Sequence, residues 1–184
     1  MKTVAQIRIT PETVVLNGQT VATESQGKAM LTELYRQRVG DYPKFFKMDP
    51  LSRLGFIAAE LLLASVDEPH FVEREDRAVV LVNRSASQAA DARYEATIQP
   101  GDDYFPSPAD FVYTLPNIVS GEIAIRHHYH GETTFVVIDS PEPHLMEQLA
   151  AQALADPGTR SVLCGWVECP DDSHFLAELK LITT

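Results

Sequence analysis

The chain has 184 residues, a length that predicts one domain spanning residues 1–184. Its 15 Lys and Arg stand against 26 Asp and Glu, and this formal charge of −11 excludes the basic surface that nucleic-acid binding requires. Two cysteines do not make a disulfide scaffold, and the sequence contains no apolar run of about 20 residues. Because the first residues lead into no apolar region, we expect no signal peptide. We therefore expect a cytoplasmic protein that binds no nucleic acid and no membrane.

The charge is distributed unevenly along the chain. Residues 1–48 contain seven Lys and Arg against four Asp and Glu, a net +3, whereas residues 49–184 contain eight against twenty-two, a net −14. The basic excess is concentrated in Arg36, Arg38, Lys44 and Lys47. One interpretation of these residues, called the basic patch below, is a solvated helix end and loop. The other is a docking surface that attracts an acidic partner.

The N-terminal third of the chain predicts a strand, a turn and a helix. Residues 13–16 have the β-branched composition of a strand, and Asn17-Gly18 after them favours a tight turn. Residues 24–39 predict a helix, since their apolar residues fall on one side at helical spacing.

The clearest element is a helix that begins at Pro50. Asp49 is a suitable cap, proline is favoured at the first helical position, and the helix is expected to end near Ser65. Its sequence is apolar on almost every side, which predicts burial from more than one direction. Residues 78–82 then predict a central strand that is buried on both faces.

The middle of the chain is less regular. Residues 85–97 are small and polar and fit either a helix or a loop, while the three prolines in residues 100–108 favour a loop. We predict a strand at residues 111–115 and a helix at residues 118–130.

The C-terminal part predicts strands and a helix in alternation, closed by a hairpin. Strands are expected at residues 134–138, 161–167 and 175–182, and an Ala/Leu-rich helix at residues 142–155. Residues 169–172 resemble the loop of the hairpin. Alternating strands and helices indicate an α/β sheet layered with helices.

Two stretches of the sequence resemble the N-terminal half of the β-ketoacyl-acyl-carrier-protein synthases. Residues 47–60, which include Met48-Asp49-Pro50 and Ala58-Ala59, are similar to the stretch that opens an early buried helix in that family. In that family a strand runs into Thr-Ala-Cys-Ala-x-Gly, and a helix, a Gly-containing turn and another strand follow. The same order is found here in Pro116–Gly121, Ile123-Ala124-Ile125, His130-Gly131-Glu132 and Phe135–Ile138. The resemblance covers about residues 40–168 and implies a layered sheet with helices on both faces, resembling one half of the thiolase-like fold.

The resemblance also implies what chemistry the chain lacks. Its counterpart of the nucleophile motif contains Asn117, Ile118, Ser120 and Gly121. Aligned on Gly121, the catalytic cysteine falls on Ile118, and an isoleucine side chain cannot attack a thioester. The family's catalytic histidines and lysine belong to its second half, and we expect this chain to end where that half would begin. No catalytic residue, no metal and no cofactor is therefore implied.

The implied function is that of a ketosynthase-like protein without condensing activity, an auxiliary or scaffolding subunit in a fatty-acid- or polyketide-type pathway. Its expected partners are a full-length ketosynthase and an acyl carrier protein. The basic patch is the expected contact for an acidic carrier protein or for a partner subunit. Because a lone half would leave the Pro50 helix uncovered, we expect a homodimer or heterodimer. In the family, the strand entering the nucleophile motif meets its mate across the dimer axis, which here corresponds to residues 111–115. A stand-alone acyl-binding module is an alternative.

A second alternative is a small metal-dependent enzyme built on His127, His128 and His130. On a helix, His127 and His130 would share a face, and Glu122 or Glu132 would add an oxygen ligand. The plainer interpretation is a polar helix end, where protonated histidines interact favourably with the helix dipole.

A weaker hypothesis is that one of the two cysteines is catalytic. Cys164 lies in an apolar run that predicts a buried strand, where a free cysteine behaves as a small apolar side chain. A catalytic pair of Cys164 with His174 would require the terminal hairpin to bring the two together.

Overall fold

The structure is a computed structural model that describes residues 1–69, 71–99 and 106–184. Within these ranges seven strands form a single mixed sheet. In chain order the strands are β1 (Lys2–Ile9), β2 (Val14–Leu16), β3 (Gln19–Thr20), β4 (Arg77–Asn83), β5 (Thr133–Val137), β6 (Ser161–Glu168) and β7 (Leu176–Thr183). The helices are α1 (Gly27–Arg38), α2 (Pro50–Ala64), α3 (Gln88–Thr97), α4 (Pro108–Val112), α5 (Ile118–His127) and α6 (Pro143–Ala155), with a 3-10 helix at Pro43–Lys47.

The strand order in the sheet is β3-β2-β1-β7-β6-β4-β5. Strands β5, β4 and β6 are parallel to one another, and β7, β1, β2 and β3 continue the sheet in antiparallel pairs. β4 and β6 have neighbours on both sides and are buried along almost their whole length, which explains their unbroken apolar sequences.

Helices cover both faces of this sheet. On one face α2 and α5 pack against the strands, and α1 lies against α2; their side chains form the main core. On the other face α6 packs over β4 and β6, and a smaller core there contains Ala150, Ala153 and Cys164. The predicted layered α/β fold with helices on both faces is confirmed. None of the described helices is long and apolar enough to cross a membrane.

Helix α2 is the centre of the main core. It begins at Pro50 as predicted, and its residues from Leu51 to Leu63 are all buried except Arg53, which is half-buried. Because α1, α5 and the sheet surround α2, the chain itself covers the helix. The expectation that a second subunit must cover this helix is therefore wrong.

The Asp49 cap gives a direct test of how α2 begins. The Asp49 carboxylate accepts hydrogen bonds from the backbone N–H groups of Ser52 (3.0 Å) and Leu51 (3.2 Å). Burial raises the pKa of this carboxyl group, although the hydrogen bonds from Ser52 and Leu51 oppose the rise. We predict that Asp49→Ala lowers the free energy of unfolding by about 1 kcal/mol, whereas Asp49→Asn, which keeps an acceptor oxygen, loses less than half as much. Urea unfolding measures both, and equal losses would contradict this role of the side chain.

The structure differs from the sequence prediction at several places, including β3 and the 3-10 helix, which were not predicted. Residues 111–115 are not a strand, because α4 occupies Pro108–Val112 and a turn follows. Helix α5 ends at His127 and not at residue 130, because His128 adopts a left-handed conformation with φ of 53°. Strand β1 was not predicted. Residues 100–105, part of the predicted loop, lie outside the described residues.

Candidate functional site

The segment that resembles the nucleophile motif lies at the start of α5. Ile118 is the first residue of this helix and is half-buried against the main core, and Ser120 is buried. The element that precedes Ile118 is helix α4 and its turn, whereas the family's motif follows a strand. The alignment of the nucleophile with Ile118 assumed a strand directly before it, and the structure has a helix there. The alignment therefore remains a prediction.

Strand β5 leads directly into helix α6, which is the strand-to-helix arrangement of the family's motif. Residues 138–142, Ile-Asp-Ser-Pro-Glu, connect the end of β5 to α6. This connection contains no cysteine, and its Ser140 is exposed. This junction could have been found from the sequence, because a strand at residues 134–138 and a helix at residues 142–155 were both predicted.

The two cysteines lie elsewhere and are not paired with His174. The Cys164 side chain belongs to the small core under α6, while His174 lies in the β6–β7 loop with its ring against Asp171, on a cleft formed with Pro50. The hairpin does not bring Cys164 and His174 together. Burial raises the pKa of the Cys164 thiol to about 11 and that of Cys169 to about 12, so both are protonated thiols at neutral pH.

The three histidines separate into two environments. His127, at the end of α5, is buried and its Nε2 lies 2.8 Å from the carboxylate of Glu60. His128 and His130 lie beyond the helix, and both contact the exposed carboxylate of Glu73, at 2.8 Å for His128. The shared face predicted for His127 and His130 is absent because the helix ends first. Among the described residues no group of three or more His, Cys, Asp or Glu could hold a metal ion.

The basic patch is not one continuous surface. Arg36 and Arg38 are two residues apart on α1 and so project about 200° apart around its axis. Lys44 forms a 2.7 Å ion pair with Glu122, whose carboxylate is buried. Arg36, Arg38 and Lys47 are exposed.

A buried charge cluster between α2 and α5 was missed by the sequence analysis. Arg126 donates from Nε to Glu60 (3.2 Å) and from Nη2 to Asp41 (2.6 Å), and its guanidinium lies 5.2 Å from the centre of the Tyr42 ring. Glu60, Arg126 and His127 are each at most 5% exposed. Burial by itself raises the pKa of Glu60, but contacts with His127 and Arg126 outweigh it and hold the pKa below 4.5. The cluster fixes the 41–47 segment to α5.

A second polar contact extends this cluster. The hydroxyl of Tyr113 donates to Glu122 at 3.4 Å, on the same carboxylate oxygen that Lys44 contacts. Burial, reinforced by the negative charge of Glu122, raises the pKa of Tyr113 to about 12. Glu122 therefore connects the 41–47 segment to the turn before α5.

An apolar surface lies along the open edge of the sheet. Among the strands that the structure describes, β5 pairs only with β4, and its five residues, Thr-Thr-Phe-Val-Val, include no charge and no proline. Val137 on β5 is 49% exposed and Ile125 on the adjoining α5 is 63% exposed. Natural edge strands are usually short or carry charges that prevent pairing. At the other edge of the sheet, β3 is short, with two exposed residues. We call β5 and the outer face of α5 the β5 edge.

Comparison with solved structures gives matches over nearly the whole chain. One is the ishigamide ketosynthase/chain length factor, with a TM-score of 0.69, 16% identity, and coverage of 99% of this chain and 61% of that chain. Another is the ketosynthase ApeO in complex with its chain length factor ApeC from Xenorhabdus doucetiae, with a TM-score of 0.61, 16% identity, and coverage of 100% and 79%.

A third match is AntDE:AntF, a type II PKS acyl-carrier protein in complex with its ketosynthase bound to the hexaketide. Its TM-score is 0.61 at 14% identity, with coverage of 98% of this chain and 61% of that chain. This chain thus spans less than two thirds of the length of two of these three proteins. No protein-family model and no curated protein matches the sequence. At these identities the matches establish the thiolase-like fold that the sequence resemblance implied.

Proposed function

We propose that this chain is a ketosynthase-like subunit without condensing activity, which assists a ketosynthase in a polyketide- or fatty-acid-type pathway. The observation that carries the proposal is the junction between β5 and α6, which contains no cysteine. The fold around this junction matches ketosynthase and chain length factor structures over 98–100% of this chain. Two of those matches come from complexes that contain a ketosynthase.

The chemistry of the chain supports a non-condensing role. Neither position considered for the nucleophile, Ile118 or the junction at residues 138–142, is a cysteine. Cys164 and Cys169 are buried with raised pKa values, so neither is the activated thiolate that thioester exchange requires. The imidazoles of His127 and His174 are held by carboxylates at other places in the fold.

The first test is a condensation assay on the isolated chain. Incubated with malonyl- and acyl-loaded carrier protein, the wild type is expected to give no ketoacyl product by mass spectrometry. Ile118→Cys is expected to be equally inactive, because a thiol alone does not supply the general base that thioester chemistry requires. A carrier-protein condensing enzyme run in parallel is the positive control. Product above the no-protein background from the wild-type chain would refute the proposal.

The partner surface that we propose is the β5 edge. The resemblance implied this contact at residues 111–115, which are not a strand. Of the two edge strands that the structure describes, β3 has two residues and β5 has five, so β5 is the longer edge available for pairing. An uncharged edge with exposed apolar neighbours can pair through its backbone with a strand of a second subunit and bury Ile125 and Val137 at the same contact. Pairing there extends the sheet across the interface.

Val137→Asp tests this surface. A charge buried without a partner at the interface is expected to weaken association with the ketosynthase subunit at least about tenfold. Co-purification of tagged wild-type and variant chains with the ketosynthase of the same organism measures the loss. Val4→Asp on β1 is the matched control, since Val4 is 44% exposed and lies away from the β5 edge. Equal binding by the two variants would exclude the β5 edge as the interface.

An acyl carrier protein is the second partner that we propose. Because Arg36 and Arg38 project from opposite sides of α1, the exposed cations Arg36, Arg38 and Lys47 attract it through their summed charge and do not form one contact surface. Carrier proteins are acidic, and complementary charge accelerates such encounters. Because Lys44 is held by Glu122, its contribution to this attraction is smaller than that of the other three.

A further inference from the structure

A cavity of about 550 Å³ lies on the face of the sheet that α6 occupies. Helix α6 packs over β4 and β6, whereas β7 and β1 extend beyond it on the same face. The cavity is the trough between the first turns of α6, including Met146, and these outer strands. It lies on the opposite face from α2 and does not touch the β5 edge.

The strand register defines the floor of the trough. Gln6 of β1, Lys180 of β7 and Cys164 of β6 are cross-strand neighbours and form a row across the three strands. On one side of this row lie Arg8 and Glu178, which are paired in register. Thr3 and Ile182 form the corresponding pair on the other side. Lys180 therefore stands in the middle of the trough.

The described lining of the trough contains two cationic side chains, Arg8 and Lys180, and two carboxylates, Glu147 and Glu178. Arg8 and Glu178 form an ion pair with each other, so they neutralise one another. Lys180 is exposed and forms no salt bridge with any residue that the structure describes. Beside it, Met146, Ile182 and Cys164 provide an apolar lining. The floor of the trough thus combines a lysine that pairs with no described carboxylate, an amide and an apolar wall, while the exposed Glu147 carboxylate lies on the side formed by α6.

We infer that this trough binds a small amphipathic carboxylate, with the head group on Lys180 and the Gln6 amide and the apolar tail along Met146, Ile182 and Cys164. The volume lies in the range of small-molecule sites, which combine an apolar lining with a few polar groups that fix orientation. A packed protein element would instead bury the charges of Arg8, Glu178 and Lys180 together, and burying charged groups is unfavourable. This inference does not depend on the proposed function.

The two cysteines provide an internal test, because Cys164 lines this trough and Cys169 lines a different cavity beside α1. Both are free and buried. Decanoate is the probe, and decyltrimethylammonium is the control with the same tail and the opposite charge. The alkylation rate of each cysteine by N-ethylmaleimide is followed by peptide mass spectrometry. At ten times its dissociation constant, decanoate is expected to slow alkylation of Cys164 about tenfold, because only about a tenth of the sites remain empty.

Two variants connect the effect to Lys180. Lys180→Met keeps the length of the side chain but removes its charge, and is expected to weaken decanoate binding about tenfold or more, measured by calorimetry. Lys28→Met, an exposed lysine beside the other cavity, is expected to leave binding unchanged. Three results would overturn the inference: no protection of Cys164, equal protection of Cys164 and Cys169, or equal binding of the cationic control.

Discussion

Gly165→Ala is expected to destabilise the protein by about 4 kcal/mol, which leaves little folded chain. Gly165 lies in the middle of β6 with φ of 154°, and a Cβ atom there would lie 1.9 Å from the carbonyl oxygen of Glu178. Because that oxygen belongs to the backbone of β7, the strands must separate before a methyl group fits. The free energy of unfolding in urea, or loss of soluble protein, measures the effect.

Gly121→Ala is the matched control for this prediction. Gly121 lies within α5, and a Cβ atom there would have no neighbour within 4 Å. Because alanine is the better helix former, this substitution is expected to stabilise the isolated chain by about 0.5–1 kcal/mol. The same chemical change should therefore have opposite signs at the two sites. A loss at Gly165 of less than about 1 kcal/mol would contradict the close contact between β6 and β7.

Arg126→Met is expected to destabilise the protein by about 3 kcal/mol, because it removes the cation that two carboxylates share. Glu60 is buried with Arg126, and Asp41 depends on the same guanidinium for its hydrogen bond. Glu60→Gln combined with Arg126→Met is expected to recover part of the loss, since the double variant buries no unpaired charge from this pair. A double variant as unstable as the sum of the single variants would show that the pair is not coupled.

The pH dependence of stability is an independent test of the ion pair between Glu60 and Arg126. The pKa of Glu60 is below its ordinary value in the folded state, so the stability it contributes is present above about pH 4.5 and is lost as the pH falls through the folded pKa. Arg126→Met removes one of the groups that lower this pKa. The variant is therefore expected to lose less stability than the wild type as the pH falls, because the folded and unfolded pKa values of Glu60 lie closer together without Arg126. Unfolding followed between pH 3 and pH 6 measures the difference, and an equal loss in both proteins would contradict the role of Arg126.

Local signals were sufficient to predict some elements but not others. α2 was predicted because its cap, its proline and its apolar run are adjacent in the sequence. The α4 region was misassigned, since Phe111–Leu115 has the composition of a strand, although Ser107 and Pro108 carry a helix-start signal. Ser107 does cap α4, accepting a hydrogen bond from the Asp110 N–H at 3.2 Å.

The charge cluster and the open sheet edge could not be derived from local patterns. Glu60 and Arg126 are 66 residues apart in sequence, and only the packing of α2 against α5 brings them together. The end of α5 at His127 depends on the left-handed conformation of His128, which a non-glycine residue rarely adopts. Whether β5 is central or at the edge depends on strand order, and the five residues of the strand do not encode that order.

The measurement that tests the proposed function most directly is reconstitution with a ketosynthase from the same organism. The ketosynthase, this chain and a loaded carrier protein are combined, each component is omitted in turn, and the ketoacyl products are identified by mass spectrometry. Our account predicts elongated product only when the ketosynthase and this chain are both present, and none from this chain alone. If the ketosynthase formed the same products at the same rate without this chain, an auxiliary role would be contradicted.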